Sequence, residues 1–503
     1  MDRRARPSPS AVLALMRQCT APPPGLAGRD PLAGAVVVGG AVRDAHLGVP
    51  PRDVDWLVRD PEAAARALAE ATGGALVALD PDRGYWRVVW GAGDDDVRAG
   101  EHDAAAPSAA APSAAPGRPS PVTWDLAAPE PPGDPRDPSV VGADLRRRDL
   151  TINALAFRPD TGEFVDPTRG LADLRRGLVR AVARENLWVD PLRAWRVVRF
   201  AAQLGFRVER RTRGWAQELA RALAADPAPA GAPPHDAVAL PAPERLGAEL
   251  DDTIATPVAG RAFAALDDLG LLAPVLPELT DGRGVAQGGL HHLDVLRHQL
   301  EALQQLADAF PEADLALRWA TLLHDVGKPP TRTPGGVTED GLVLRDRFHG
   351  HDAVGAELAA AALRRLRRPR ATVARVQDLV AAHMRPLPDD ERGARRFAHR
   401  LRPLLPDLLR LMLADREAAR GRAASAAARR RYRERVGLVL AALEEPPPPA
   451  PLVDGHALMA ALGLPPGPRV GELLAAIAEA RALGDVGTRE QALAYAERLQ
   501  AGR

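Results

Sequence analysis

The stretch VVVGGAVRDAHLGVPPRDVDWLV, residues 36–58, carries the densest signal in the chain. It opens with a β-branched run that predicts a short strand, and Gly39 and Gly40 then end the strand and open a helix. The segment DVDWLV predicts a second strand, on which Asp53 and Asp55 project to the same face. Two carboxylates a few ångströms apart repel each other unless a divalent cation lies between them. The stretch therefore predicts a cation site beside a glycine turn.

The glycine turn also indicates a place for phosphate groups. Backbone N–H groups at the start of a helix can approach a triphosphate, and Gly39 and Gly40 leave room for that approach. Arg43, one turn into the predicted helix, is placed to reach the same phosphates. This combination is far more specific than an isolated D-x-D pair, which is usually a surface turn.

The composition limits the class of protein. The chain has 503 residues, 46% apolar and 26% charged, as in soluble globular proteins of about three domains. Its 66 basic and 66 acidic residues cancel, so any nucleic-acid surface has to be local. The single cysteine, Cys19, excludes an intramolecular disulfide and a multi-cysteine zinc site, and it indicates a reducing compartment. No run approaches the roughly 18 apolar residues of a membrane span, and we expect a cytoplasmic protein.

Low-complexity stretches and a change of periodicity divide the chain. Residues 101–121 are mostly Ala, Pro and Ser, which predicts a disordered insertion, and residues 226–243 predict a linker. VTWDLA at 122–127 is a third candidate strand, whereas Leu and Ala recur at helical spacing from about residue 170 onward. We therefore predict an α+β fold, with a small head followed by an elongated all-α body. The predicted domains are 1–160 for the head, 161–285 for a helical neck, 286–440 for a second helical domain and 441–503 for a helical tail.

The head motifs resemble those of the class II tRNA nucleotidyltransferase and poly(A) polymerase family, within the polymerase-β-like nucleotidyltransferases. The resemblance implies that Asp53 and Asp55 hold Mg²⁺ for catalysis. It also implies that Asp125, on the third strand, is a further catalytic carboxylate, a solvent-exposed strand Asp being the alternative. The block ADLRRRDLTINALAF at 143–157 matches the family signature that lines the sugar and triphosphate. The residues that fall on this signature are Arg147, Arg148, Asp149 and Asn153.

A third block, VDPLRAWRVVRFAAQLGF at 189–206, resembles the neck helix with which this family selects the incoming base without a nucleic-acid template. The resemblance gives this role to Asp190 and Arg193, which at i and i+3 share one face of the predicted helix. A carboxylate accepts from the exocyclic amine of cytosine or adenine, and a guanidinium donates to the ring nitrogen beside it. Val189 stands where the family usually has Glu. Arg196 continues the face, as a phosphate contact or as a capping or surface residue.

The helical body contains a series of histidines and aspartates. In the predicted helix HHLDVLRHQLEALQQL, His291, Asp294 and His298 lie on the face opposite a leucine stripe. The segment LLHDVGKPP then places His324 and Asp325 at a helix end.

This order resembles the signature of the HD metal-dependent phosphohydrolases. The resemblance implies that a divalent Mn, Ni, Fe or Mg ion binds to His298, His324, Asp325 and Asp415. It also implies second-metal or phosphate contacts at His349 or His351 and at His383. Lys328, the only lysine of the chain, is predicted either to neutralise a phosphate or to lie on the surface.

The resemblances cover most of the chain and imply a tRNA 3′-end nucleotidyltransferase with an attached phosphohydrolase module. We expect it to add C and A from CTP and ATP, and its oligomeric state is left open. Narrower activities in the same family, adding only CC, only the final A or a poly(A) tail, are equally compatible with the motifs. An alternative from another class is a phosphohydrolase with a degenerate head, against which the intact head motifs argue.

Overall fold

The computed structural model describes residues 7–23, 26, 30–51, 53–91, 122–225, 238–287, 292–335, 346–420, 425–445 and 451–501. The predicted insertion at 101–121 and most of the predicted linker lie outside these residues. The chain forms two compact units, Met1–Thr280 with Leu363–Arg368, and Asp281–Ala362 with Pro369–Arg503. Among the described helices, we find none that is both long and apolar enough to cross a membrane.

A mixed sheet organises the first unit. Its strands are β1 Val36–Val38, β2 Asp53–Leu57, β3 Ala75–Asp80, β4 Tyr85–Trp90, β5 Val122–Ala127, β6 Ala156–Arg158 and β7 Glu163–Val165. They lie in the order β3-β4-β5-β2-β1-β6-β7. The β2–β5 pair is parallel, and the other neighbours are antiparallel. The three strands predicted from the sequence are therefore consecutive in the sheet, with β2 between β5 and β1.

Helices follow and flank the strands of this unit. They are α1 Pro9–Cys19, α2 Gly40–His46, α3 Pro61–Thr72, α4 Pro138–Arg146, α5 Gly170–Arg176, α6 Arg184–Val189, α7 Leu192–Leu204, α8 Arg210–Ala224, α9 Pro243–Ile254, α10 Ala259–Asp268 and α11 Pro277–Thr280. Short 3₁₀ turns occupy Pro81–Arg83 and Thr151–Asn153, and a two-stranded parallel pair joins β8 Leu178–Val179 to β9 Arg207–Val208.

Both faces of the head sheet are covered, which explains why β1 is a continuous run of valines. On one face, Trp56 and Trp124 pack with their ring centroids 5.0 Å apart. On the other face, Val36 and Val38 pack with apolar residues of α4. Asp55 pairs with Val38, the last residue of β1, and this register places Asp55 beside the β1–α2 turn.

The regular secondary-structure elements described in the second unit are all helices. Its helices are α12 Val295–Ala309, α13 Leu315–Leu323, α14 Lys328–Thr331, α15 His351–Arg365, α16 Arg370–Ala382, α17 Glu391–Leu401, α18 Asp407–Ala418, α19 Ala426–Glu444, α20 Gly455–Leu462, α21 Pro468–Ala482 and α22 Arg489–Ala501, with a 3₁₀ turn at Arg402–Leu404. The last turn of α15 falls within the first unit. The predicted combination of an α+β head and a helical body is confirmed.

One predicted helix face is wrong. Helix α12 begins at Val295, and Asp294 is its N-cap, because the Asp294 carboxylate accepts from the Arg297 backbone N–H at 2.7 Å. Asp294 therefore does not share a helix face with His298, and His291 lies outside the described residues.

Candidate active sites

Three carboxylates lie together on neighbouring strands of the head. Asp53 and Asp55 are alternate residues of β2, and Asp125 on β5 lies opposite Asp55 in the parallel register. Burial, followed by the charges of Asp125 and Asp53, raises the pKa of Asp55 to about 6, despite the opposing effect of Arg148. Burial is the largest cause of this shift, and repulsion from the two neighbouring carboxylates adds to it. A divalent cation relieves such repulsion, so the donor set fits a metal ion.

Asp125 has a partner that the sequence analysis missed. Arg87 on β4 donates to both of its carboxylate oxygens, from Nε at 2.7 Å and from Nη2 at 2.8 Å. Asp125 is half-buried and ion-paired, so it is not the solvent-exposed strand residue of the alternative interpretation. Its role as a third catalytic carboxylate stays a prediction.

The glycine turn packs directly against this carboxylate group. Gly39 has a φ of 77°, and a Cβ there would lie 3.0 Å from Arg148 Nη1 and 3.2 Å from Asp55 Oδ2. The Gly39 N–H donates to the Leu155 carbonyl at 3.0 Å. Gly39 therefore provides space for a close approach rather than a free donor, whereas Gly40 follows as the first residue of α2.

The signature residues form a hydrogen-bonded chain beside the turn. Arg43 donates from Nη1 to Asn153 Oδ1 at 2.7 Å, and Asn153 donates to Asp149 Oδ1 at 3.2 Å. Arg196 donates from Nε to Asp149 Oδ2 at 2.7 Å. Burial opposes ionisation of Asp149, but Arg196 and Asn153 lower its pKa to about 2. Arg196 thus pairs with a buried carboxylate and is not a surface or capping residue.

The two preceding arginines differ in their surroundings. Arg148 donates to Asp144 at 3.2 Å and lies against Gly39, close to the carboxylates. Arg147 is more than half exposed and pairs with Glu130 at 2.8 Å.

Asp190 and Arg193 do not share a helix, so that prediction is wrong. Helix α6 ends at Val189 and α7 begins at Leu192, and Asp190 between them has an extended backbone. The physical reason is Pro191, because a proline disfavours helical geometry in the residue before it.

The two side chains at this junction are nevertheless both held. The Asp190 carboxylate accepts from Arg245 of α9 at 2.7 and 3.3 Å. Arg193 donates from Nη1 to the carbonyls of Arg147, at 2.7 Å, and Asn186, at 3.2 Å.

In the second unit, four histidines surround Asp325, which is 1% exposed. The Nε2 atoms of His324 and His298 lie 3.3 and 3.8 Å from Asp325 Oδ2. The Nε2 atoms of His351 and His383 lie 3.4 and 3.7 Å from Oδ1. Each oxygen of one buried carboxylate therefore faces two imidazoles.

The imidazole orientations fit metal ligation. In His324, His351 and His383, Nδ1 lies 2.6–2.8 Å from the backbone carbonyl three residues earlier in the chain. A carbonyl only accepts, so Nδ1 donates to it, and Nε2 is the ring nitrogen left to bind a metal, as in metal-binding histidines. Within the described residues, these three buried Nε2 atoms have no hydrogen-bond partner. Buried lone pairs directed at a carboxylate are the donor set of a divalent transition metal.

Of the remaining residues predicted for this cluster, Asp415 and Lys328 contact it and His349 does not. Asp415 joins it, with Oδ1 2.9 Å from His298 Nε2, and Lys328 Nζ lies 2.5 Å from both Asp325 Oδ2 and Gln287 Oε1. Lys328 is 7% exposed, so the surface alternative is wrong. His349 is exposed and lies outside the cluster, which contains His351 instead.

Comparison with known proteins identifies the family. The Poly A polymerase head domain matches residues 35–180, and the HD domain matches residues 295–420. The A-adding tRNA nucleotidyltransferase of Deinococcus radiodurans is 48% identical over 466 residues, covering 92% of this chain and 95% of that protein. This chain belongs to the tRNA nucleotidyltransferase family. The CC-adding tRNA nucleotidyltransferase of Thermus thermophilus is 41% identical over 470 residues, covering 93% of this chain and 94% of that one.

Solved structures support the fold of this tRNA nucleotidyltransferase. The Bacillus stearothermophilus CCA-adding enzyme in complex with CTP aligns over 99% of both chains, with a TM-score of 0.59 and 22% identity. The Thermotoga maritima CCA-adding enzyme complexed with tRNA aligns over 99% of this chain and 100% of that one, with a TM-score of 0.54 and 17% identity.

Sequence reasoning missed several residues that contact the predicted sites, among them Arg87, Arg245 and Gln287. Arg87 interrupts the apolar run YWRVVW, which is a usable signal for a polar contact on an otherwise buried strand. Arg245 lies in PERLGAEL at 243–250, which by itself indicates only a helix, and we find no sequence signal at Gln287.

Proposed function

We propose that this tRNA nucleotidyltransferase adds C and A to the 3′ end of tRNA, using CTP and ATP and no nucleic-acid template. The observation that carries the proposal is the crowded carboxylate group of Asp53, Asp55 and Asp125, in which Asp55 has a pKa raised to about 6. These residues would hold Mg²⁺, which when bound supplies positive charge at the RNA 3′-hydroxyl and the triphosphate.

The other head residues would orient the nucleotide. Arg148, beside Gly39, lies where its guanidinium can bind a phosphate close to the carboxylates. The chain from Arg43 through Asn153 to Asp149 and Arg196 holds three elements together and lines the sugar side of the site. The fixed charges of this network reduce the reorganisation needed when the triphosphate binds.

Base selection would reside at the α6–α7 junction. Asp190 accepts from the exocyclic amine of C or A, and Arg193 donates to the adjacent ring nitrogen. Uracil and guanine present the opposite polarity, and such a mismatch costs about 1–3 kcal/mol. Removal of the Arg193 guanidinium is expected to relax selection against UTP and GTP.

The test of the main proposal uses three tRNA transcripts, ending before CCA, after C and after CC. Each is incubated with the protein, Mg²⁺ and one NTP at a time, and product lengths are read on a sequencing gel. We expect C on the first two transcripts and A on the third. Absence of incorporation with all transcripts and NTPs contradicts the proposal.

A second candidate is addition of the terminal A alone. It is favoured by the 48% identity with the A-adding enzyme of Deinococcus radiodurans across 95% of that protein. In the same assay, this activity extends only the transcript that already ends in CC, and only with ATP.

For the second unit, we propose a metal-dependent phosphohydrolase. His298, His324, Asp325 and Asp415 would hold a divalent ion, with His351 and His383 as further ligands or phosphate contacts. Such an ion provides a water of lowered pKa for attack on a phosphodiester. The chemistry of the donors suits Mn²⁺, Ni²⁺, Fe²⁺ or Mg²⁺. A 2′,3′-cyclic phosphate at a damaged tRNA end is the substrate to test first.

A further inference from the structure

The backbone around Asp190 does not by itself fix the direction of this carboxylate. Asp190 has φ −135° and ψ 94° between two helices, so its side chain is outside the regular packing of either one. Val189 before it is 78% exposed and has no polar side-chain atom. A side chain at such a junction occupies several rotamers unless a neighbour holds it.

Arg245 is the neighbour that holds Asp190. Its Nη2 lies 2.7 Å from Asp190 Oδ2 and its Nη1 lies 3.3 Å from Oδ1. A two-point contact of this kind fixes the plane of the carboxylate as well as its position. An ionised carboxylate has about four lone-pair sites, so it can accept from Arg245 and from a base amine together.

Helix α9, which carries Arg245, is held in place by buried contacts. One turn after Arg245, the buried Glu249 accepts from Arg199 Nε of α7 at 2.5 Å, and both of these side chains are less than a tenth exposed. Leu246 and Leu250 of the same helix are also buried. The helix that carries Arg245 is therefore anchored to the helix that carries Arg193.

The guanidinium of Arg193 is also held in place, by backbone carbonyls. Its Nη1 donates to two backbone carbonyls, at 2.7 and 3.2 Å, and these bonds use both Nη1 protons. The edge formed by Nε and Nη2 is then the part of the guanidinium that can pair with a ligand.

We propose that Arg245 is a positioning residue for base selection, which holds Asp190 in the orientation that accepts from the amine of an incoming C or A. This inference rests on the proposed function. Without Arg245, Asp190 loses its fixed direction, whereas the carboxylates and phosphate-binding residues of the head are unchanged. Removal of Arg245 is therefore expected to impair recognition of the base. We expect the KM for the correct NTP to rise about tenfold and discrimination against UTP and GTP to fall by a similar factor.

The experiment compares Arg245→Ala, Arg245→Lys, Asp190→Ala and the double variant Asp190→Ala/Arg245→Ala. Arg213→Ala, an exposed arginine on α8, is the matched control. For each protein, kcat and KM are measured with all four NTPs, together with the KM for tRNA and the unfolding temperature. Arg245→Ala is expected to raise the NTP KM more than it lowers kcat, Arg245→Lys to recover part of the loss, and Arg213→Ala to behave like wild type.

The double variant tests whether Arg245 acts through Asp190. If it does, the double variant discriminates no worse than Asp190→Ala alone, because the two losses are not additive. Fully additive losses, an equal decrease in rate with all four NTPs, or a rise only in the tRNA KM overturn the inference. Failure of the wild-type protein to prefer C or A contradicts the proposed function instead, so the two failures are distinguishable.

Discussion

The Asp55 carboxylate leads to a prediction about stability and pH at the scale of single residues. Its pKa is raised from 3.8 to about 6, so between these pH values the folded protein holds a proton that the unfolded chain releases. Stability therefore falls as the pH rises through this window. In EDTA, Asp55→Asn is expected to remove this fall and to unfold at a higher temperature than wild type at pH 7–8, while nucleotide addition decreases at least about 100-fold.

Thermal unfolding from pH 4 to 8, with and without Mg²⁺, checks this expectation. Asp82→Asn, at an exposed residue of the same unit, is the control and should follow the wild-type curve. Parallel pH curves for Asp55→Asn and wild type contradict the prediction, as does retained incorporation by Asp55→Asn.

The ion pair between Asp149 and Arg196 leads to the opposite pH dependence. Arg196 and Asn153 lower the Asp149 pKa to about 2. The stability that ionised Asp149 contributes is therefore complete above pH 3.8 and is lost as the pH falls towards 2. At pH 7, Asp149→Asn is expected to destabilise the first unit by about 2–3 kcal/mol, the free energy that corresponds to lowering the Asp149 pKa from 3.8 to about 2. Urea unfolding at pH 7 measures the loss. Glu62→Gln, which breaks the exposed pair with Arg66, should cost less than about 1 kcal/mol, and equal costs contradict the argument.

At the residue scale, motifs predicted which polar side chains lie close together, but they missed the arginines that pair with Asp125 and Asp190. The spacing of Asp53 and Asp55 was enough to predict a shared face, and His324, Asp325 and His298 meet as the HD resemblance implied. Arg87 and Arg245 could not be assigned in this way. Their partners lie 38 and 55 residues away, and only the pairing of strands and helices brings them together.

At the scale of elements, the β1–α2 turn can be tested by comparing Gly39 with Gly73, two glycines with positive φ. Gly73, at φ 65° and ψ 17°, lies in the left-handed region, where alanine costs about 1–2 kcal/mol of backbone strain. Gly39, at φ 77° and ψ −130°, has a conformation that is nearly restricted to glycine, so alanine costs more there. A Cβ at Gly39 meets Arg148 and Asp55, whereas a Cβ at Gly73 meets nothing within 4 Å. We expect both variants to unfold at a lower temperature, Gly39→Ala by the larger amount. Assayed at a temperature at which both are folded, only Gly39→Ala is expected to lose more than about tenfold in nucleotide addition. Equal activity of the two variants contradicts the prediction.

Local sequence predicted where elements form better than where they end. β-branched runs predicted β1, β2 and β5, because buried central strands need such residues. The predicted neck helix was wrong at Pro191, and the predicted α12 face was wrong at Asp294, because a proline and a capping carboxylate end or begin helices independently of apolar spacing. The strand order was not predictable, since the paired residues of β2 and β5, such as Asp53 and Thr123, are 70 positions apart in the chain.

At the scale of the whole molecule, the two sites belong to different compact units. We therefore expect the phosphohydrolase activity to survive loss of the head site. Hydrolysis of 2′,3′-cyclic AMP is measured with Mn²⁺, Ni²⁺ or Mg²⁺ for wild type, Asp53→Ala and Asp325→Ala. Activity is expected in the first two and not in the third, because Asp325 faces all four imidazoles of the cluster. Loss of hydrolysis in Asp53→Ala contradicts independence, and absence of hydrolysis with every metal contradicts the phosphohydrolase proposal.

The buried position of Lys328 has a practical consequence for labelling. It is the only lysine of the chain, so its ε-amine and the α-amine are the only aliphatic amines available to an acylating reagent. In the folded protein the ε-amine is 7% exposed and bound to Asp325 and Gln287, whereas unfolding exposes it. A succinimidyl ester should therefore leave Lys328 of the native protein unmodified. The rate of acylation at Lys328, measured by mass spectrometry, then reports the rate at which the histidine cluster opens.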